Sequence, residues 1–383
     1  MRDGPTAAPD AADGGAGRRA GSGLHRLDPA LLGFTARIDG ERRFLFEADA
    51  KAPPVIVQDP LLIWAIAALP ETFDEAEARR VWSSTAEGAE RAGELWNFLI
   101  EQDFAIPAES PRRSSERGET WARYGWQEAF AFQEATRGYP FVNMTGRDGF
   151  REDRGRMKRY RAESPPPPVH ARPPAAPGGG TEIAMTDWAS RVADSGSGGF
   201  TELDLDPADD LDALAFILDY SAGWRGKIDL GDQGEVLLKS VPSGGARHPA
   251  EILVAIFEGF DGAPAGAYRY DVERHALALI EPGDHTATCR AATFDLFDKY
   301  DRPPVAMLLF TARMERAMWR YRDPRSARAP FVDIGHVLMA VRTATQATGL
   351  SHYTYQKFRE PPLCALFGLD PVAEPPIYVG ALV

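Results

Sequence analysis

The sequence predicts an α+β fold, because helix-period and strand-period runs alternate through its second half instead of separating into blocks. Five apolar runs have strand length: Ile252 to Phe257, Ala267 to Tyr270, Ala276 to Ile280, Val305 to Thr311 and Ile377 to Leu382. Against these, Ile334, Val337, Leu338, Val341 and Ala344 recur at helical spacing, with Gly349 as the stop. A further helix opens at Asp206-Pro207, with Leu211, Leu214, Ile217 and Leu218 on its apolar face.

The N-terminal elements follow from caps and apolar runs. Residues 1–26 read as a disordered, small-residue tail. Over 27–107, a strand at Phe44 to Phe46 is expected to precede three helices. Asp59-Pro60 supplies an N-cap and a first-turn proline for the first of them, and Thr72 with Glu75 matches a capping box for the second. The third carries Leu95, Trp96, Phe98, Leu99 and Ile100. The set reads as a winged-helix-like domain or as a helical cap on the main domain. Residues 108–180 form a connector: an aromatic-rich helix from Trp121 to Tyr139, a charge run from Arg147 to Arg161, and a Pro/Gly-rich linker from Ser164 to Gly180. The charge run is either solvated and mobile or a patch that holds an acidic peptide or phosphate. Residues 181–383 make the α+β domain.

Composition excludes several function classes. The chain has 383 residues, with Lys plus Arg 43 against Asp plus Glu 56, a formal charge of −13. A globally basic nucleic-acid binder is therefore not expected. Two cysteines, Cys289 and Cys364, give neither a disulfide framework nor a close metal-ligand pair, so a reduced cytoplasmic setting and no metal are expected. No apolar run suits a signal peptide or a membrane span.

No phosphate loop, nucleophile elbow, zinc-protease motif or dinucleotide fingerprint occurs. Two clusters remain. The stretch from Lys239 to Pro249 (KSVPSGGARHP) leads into a strand, and its glycines let backbone N–H groups approach an anion or a polar ring edge, unless it is only a tight turn. In the second, Tyr321 lies between Arg320 and Arg322, an environment that favours the phenolate and suits proton transfer, unless the group is only a stacking surface.

These stretches, with GAYRYDVERHALALI (266–280), the run from Trp319 to Leu350 and the terminal LFGLDPVAEPPIYVGALV, resemble the SagB-type peptide dehydrogenases of the FMN-dependent nitroreductase superfamily. A variant described as a peptide maturation dehydrogenase is the nearest in kind. The resemblance covers about Asp210 to Val383. It implies a nitroreductase-like fold over 181–383, with an antiparallel-rich sheet flanked by helices, FMN as cofactor and a homodimer with the flavin at its interface. It also implies oxidation of thiazoline or oxazoline rings to thiazole or oxazole in a ribosomally made precursor peptide, beside an ATP-dependent cyclodehydratase. Pro242, Ser243, Gly244, Gly245 and Arg247 would contact the flavin, Lys239 stands where an arginine is usual, and Tyr321 with Arg320 would be catalytic.

Two departures qualify these implications. Arg320 replaces the family's lysine beside the tyrosine, and an arginine does not readily serve as a base. The segment Asp194 to Phe200 lacks the arginines that grip the flavin phosphate in relatives, leaving Arg191, Arg225 or Lys239 as substitutes. Two alternatives therefore stand beside the oxidase: a flavin-dependent reductase of dehydroamino acids using NAD(P)H, and a non-catalytic subunit that binds a precursor peptide.

Overall fold

The computed structural model describes residues 23–27, 31–38, 41–47, 55–109, 120–121, 123–137, 146–168, 182–188, 210–231 and 235–383. Residues 1–22 of the expected tail 1–26, most of the Pro/Gly-rich linker, Arg191 and the segment 194–200 lie outside them, whereas His25 and Arg26 of that expected tail are buried in a strand. The chain divides into two compact units, Met1–Tyr139 and Pro140–Val383.

In the first unit β1 (His25–Leu27) pairs with β5 (Ala105–Pro107), and β2 (Leu32–Ile38), β3 (Glu41–Glu47) and β4 (Val55–Val57) form an antiparallel sheet. Between them run α1 (Pro60–Ala67), α2 (Glu75–Trp82) and α3 (Ala86–Glu101). Asp59 caps α1 as the sequence predicts, its carboxylate accepting from Leu61 N at 2.9 Å. The expected capping box does not form: Asp74, not Thr72, caps α2 and accepts from Glu77 N at 2.7 Å. Trp82, fully buried, donates its indole N–H to Ala65 O at 3.0 Å and so ties α2 to α1. The aromatic stretch beyond is not one helix. Gly125, at φ 73°, turns the chain, and α4 spans Gln127–Arg137.

The second unit begins with α5 (Arg147–Glu163), so the charge run is a helix. Its seven-stranded sheet has the order β13-β14-β12-β9-β10-β11-β6, with every neighbouring pair antiparallel. The α+β class and the helix-flanked antiparallel sheet expected of a nitroreductase-like fold are both present. Four of the expected strands are β9 (Ala250–Ile256), β10 (Gly266–Asp271), β11 (Ala276–Pro282) and β12 (Ala306–Ala312). The fifth is β14 (Pro376–Leu382), while β6 (Glu182–Ala184) and β13 (His352–Tyr355) are the edges. Strand alternation divides the core. Ile252, Val254, Leu308 and Phe310 pack against α6 (Asp210–Ala222) and α9 (Arg328–Thr348). Leu253, Ala255, Met307 and Leu309 pack on the opposite side with α7 (Thr286–Thr293) and α10 (Glu360–Phe367). A separate hairpin, β7 (Trp224–Asp229) with β8 (Glu235–Lys239), precedes β9, and α8 (Met314–Arg320) follows β12. Cys289 and Cys364 are buried free thiols, and burial pushes Cys289 up to about 12.

Leu308→Ala, at a fully buried position in the central strands, is expected to cost about 2–5 kcal/mol in urea unfolding. Val372→Ala, at 84% exposure, should stay within about 0.5 kcal/mol.

Candidate active site

The two clusters singled out in the sequence meet at the end of α8. The loop between β8 and β9 is held from α9 by one buried carboxylate: Ser243 Oγ donates to Asp333 Oδ2 at 2.6 Å, and Gly244 N donates to Oδ1 at 3.2 Å. Ser243 Oγ also accepts from His248 N at 2.8 Å, closing the loop on itself. Gly245 sits at φ 59°, and a Cβ there would overlap the Tyr321 hydroxyl. The tyrosine thus approaches the loop where no side chain stands in its way. Ser243 and Gly244 have a structural task that the sequence did not reveal.

Charge around Tyr321 is arranged by α5. Arg320 Nη2 lies 2.9 Å from both Asp153 carboxylate oxygens, and its guanidinium is 5.0 Å from the centre of the Tyr321 ring. Arg322 pairs with Glu163 and stacks on Tyr160 at 3.7 Å. The sequence suggests two unopposed cations flanking the phenol; instead each arginine has its own carboxylate. Arg247 is buried, with its guanidinium 5.5 Å from the Trp319 ring centre and an Nε that meets no hydrogen-bond partner among the described residues. Burial first, then the neighbouring Arg320 charge, lower its pKa.

Beneath the loop lies a buried ionic network. Arg316 on α8 donates to Glu251 on β9 at 2.5 Å and to His248 O at 2.7 Å. Arg269 contacts Glu251 at 3.7 Å and Glu374 at 2.7 Å. Burial alone would raise the Glu251 pKa, yet Arg316, Lys239 and Arg269 together bring it below the usual carboxylate value. Lys239 keeps part of its surface accessible, but the protein packed around its ammonium lowers its pKa to about 8, with Glu251 opposing that shift. His248 is pushed down to about 3, chiefly by burial, and its Nε2 faces Leu237 O at 2.8 Å. It is neutral at physiological pH and does not serve as a proton carrier there.

Two clefts flank the loop. One of about 610 Å³ is lined by Arg225, Lys239, Pro242, His336, Met339 and Thr343, among others. The other, about 400 Å³, is lined by Gly244, Arg325, Arg328, Asp333 and His336, among others. Arg225 is paired with Asp219 at 2.8 Å. Among the described residues no group of three or more His, Cys, Asp or Glu could hold a metal ion, and no helix is long and apolar enough to cross a membrane.

The trifolitoxin-processing protein TfxB of Rhizobium leguminosarum bv. trifolii is 33% identical over 165 residues, covering 43% of this chain and 44% of TfxB. The chain is related to a toxin-processing protein. Such a relative agrees with the SagB-type resemblance read from the sequence motifs. The chain spans less than half the length of TfxB. No protein-family model matches the chain. Among solved structures, a protein named as a nitroreductase from Anabaena variabilis is 20% identical with TM-score 0.46, covering 61% of this chain and 45% of that one. The E. coli microcin synthetase McbBCD complex with truncated pro-MccB17 bound is 15% identical with TM-score 0.37, covering 63% and 83%.

Gly245→Ala combines an unfavourable φ with a clash on Tyr321 and is expected to cost about 1–3 kcal/mol in thermal or urea unfolding. In a Tyr321→Phe background the cost should fall, because the overlapping hydroxyl is gone, and a double-mutant cycle measures the difference. Lys239 predicts a pH effect. Between about 8 and 10.5 the unfolded chain binds more protons at this lysine than the folded one, so stability rises with pH across that window. Lys239→Met should flatten that slope, as read from urea midpoints at each pH.

Proposed function

We propose that the protein is an FMN-dependent dehydrogenase in the maturation of a ribosomally made peptide, oxidising thiazoline or oxazoline rings to thiazole or oxazole. The observation that carries this reading is the meeting of Tyr321 with the Gly245 loop, beside the buried Arg247 and the half-buried Arg320. The polar set suits a flavin mononucleotide: main-chain groups of the Pro242–Gly245 loop other than the Gly244 N–H, which Asp333 holds, for the ring edge, the unpartnered Arg247 Nε for a polar chain, and Lys239 with Arg225 at the larger cleft for a phosphate. Bound FMN would supply the two-electron acceptor, passing electrons on to oxygen. The chain's part is to orient the ring and move the proton. Acting as its phenolate after giving its own proton to solvent, Tyr321 Oη takes the azoline Cα proton and becomes the neutral phenol, while Arg320, fixed by Asp153, stabilises the negative charge of the phenolate. Arg320 itself is not the base, since an arginine guanidinium does not readily give up its proton.

The assembly belongs to the same proposal. A homodimer would cover the apolar side chains that α9 exposes, Phe331, Val332 and Met339, and a cyclodehydratase would supply the azoline in the cytoplasm. The Asp153–Arg320 pair also favours a second reading, a peptide-binding subunit without turnover, because it neutralises the residue standing where relatives carry lysine. Incubation of FMN-loaded protein with an azoline peptide in air decides between them by mass spectrometry. The expected result is loss of two mass units per ring, slowed about 10²-fold or more in Tyr321→Phe at unchanged flavin content. Flavin-loaded protein that leaves the peptide mass unchanged would reject the dehydrogenase reading.

A further inference from the structure

The outer face of α5 has no role in the site described above. The helix carries seven cations against four carboxylates, in a chain whose net charge is −13. Its buried positions Gly149, Asp153 and Met157 lie on one side. On the exposed side Arg147, Arg151, Arg154, Lys158 and Arg161 recur at intervals of four and three residues, which on an α-helix form a single stripe. Two of the four carboxylates, Asp153 and Glu163, are taken by Arg320 and Arg322 of the site. Asp148 pairs with Arg151 and Glu152 with Arg156, both near the surface. Arg147, Arg154 and Lys158 therefore stand exposed without a carboxylate partner among the described residues. Phe150, 57% exposed, adds an apolar contact beside them.

We propose that this stripe docks an acidic peptide segment of the substrate. The proposal rests on the reading that the protein acts on a peptide. The stripe is about 21 Å long, matching six or seven extended residues whose alternate side chains face one way about every 6–7 Å. That spacing brings carboxylates close to successive cations. A short peptide needs only the stripe, whereas a longer polyphosphate would also meet the repulsion of an acidic protein. The inner face of α5 is fixed to the end of α8 through Asp153 and Arg320, and to Arg322 just beyond it through Tyr160 and Glu163, so a segment held outside is tethered one helix away from Tyr321.

Fluorescence anisotropy of the full-length protein with a labelled oligo-glutamate peptide tests the surface without requiring flavin or turnover, so an inactive enzyme still reports on it. The triple variant Arg147→Glu, Arg154→Glu, Lys158→Glu should weaken binding at least about tenfold, with the wild-type affinity falling as salt rises. Arg302→Glu, an exposed cation elsewhere, should bind as wild type, and far-ultraviolet circular dichroism should show all three proteins equally folded. The proposal is overturned if the peptide does not bind, if the folded triple variant binds it unchanged, or if Arg302→Glu weakens it equally. Tighter binding of duplex DNA or phosphatidylserine vesicles, lost in the same triple variant, would also overturn it.

Discussion

The arrangement around Tyr321 depends on one buried guanidinium. Arg316, on α8, reaches Glu251 in the sheet, His248 O in the β8–β9 loop, and Pro168 O in the segment after α5. Four parts of the second unit are therefore fixed by one planar group, which presents its donors in several directions at once. Its burial is tolerated because Glu251 is buried with it, and removing either partner would leave an uncompensated charge in the core. Helix α8 ends only a turn later at Arg320, so Tyr321 inherits its position from this anchor.

Two further ties refine that position. Asp333 fixes the glycine loop from α9, and Trp319, one residue before Arg320, donates its indole N–H to Ser164 O at 3.2 Å. The result is a phenol held between a strained loop and a guanidinium, with Arg320 and Arg322 each compensated by a carboxylate of α5. Such a site has low reorganisation demands when charge develops, because its dipoles and ion pairs are already in place. The chain's net charge says little about this site.

What the sequence made legible was what local pattern encodes. The continuous apolar runs Ile252 to Phe257 and Val305 to Thr311 and the helical spacing of Ile334 to Ala344 identified the sheet core and its covering helix, and Asp59-Pro60 marked a helix start. The hairpin β7–β8 and the edge strand β13 escaped notice because their residues, such as Arg225, Lys227 and Tyr353, are too polar or too exposed for a strong strand signal. The site was half legible: Lys239 to Arg247 and Arg320-Tyr321 could be picked out, but not what holds them. Asp153 is 167 positions from Arg320, and Asp333 is 90 from Ser243. Contacts at such separation leave no periodic trace, and Asp153 read as one more charge in a charged run.

The proposed withdrawal of electrons from an azoline peptide is tested most directly by anaerobic mixing of FMN-loaded protein with that peptide while the oxidised-flavin absorbance is followed. Bleaching by the azoline peptide and return of colour on admitting air are expected. Bleaching by NADPH alone, with the azoline peptide inert, would contradict the proposal.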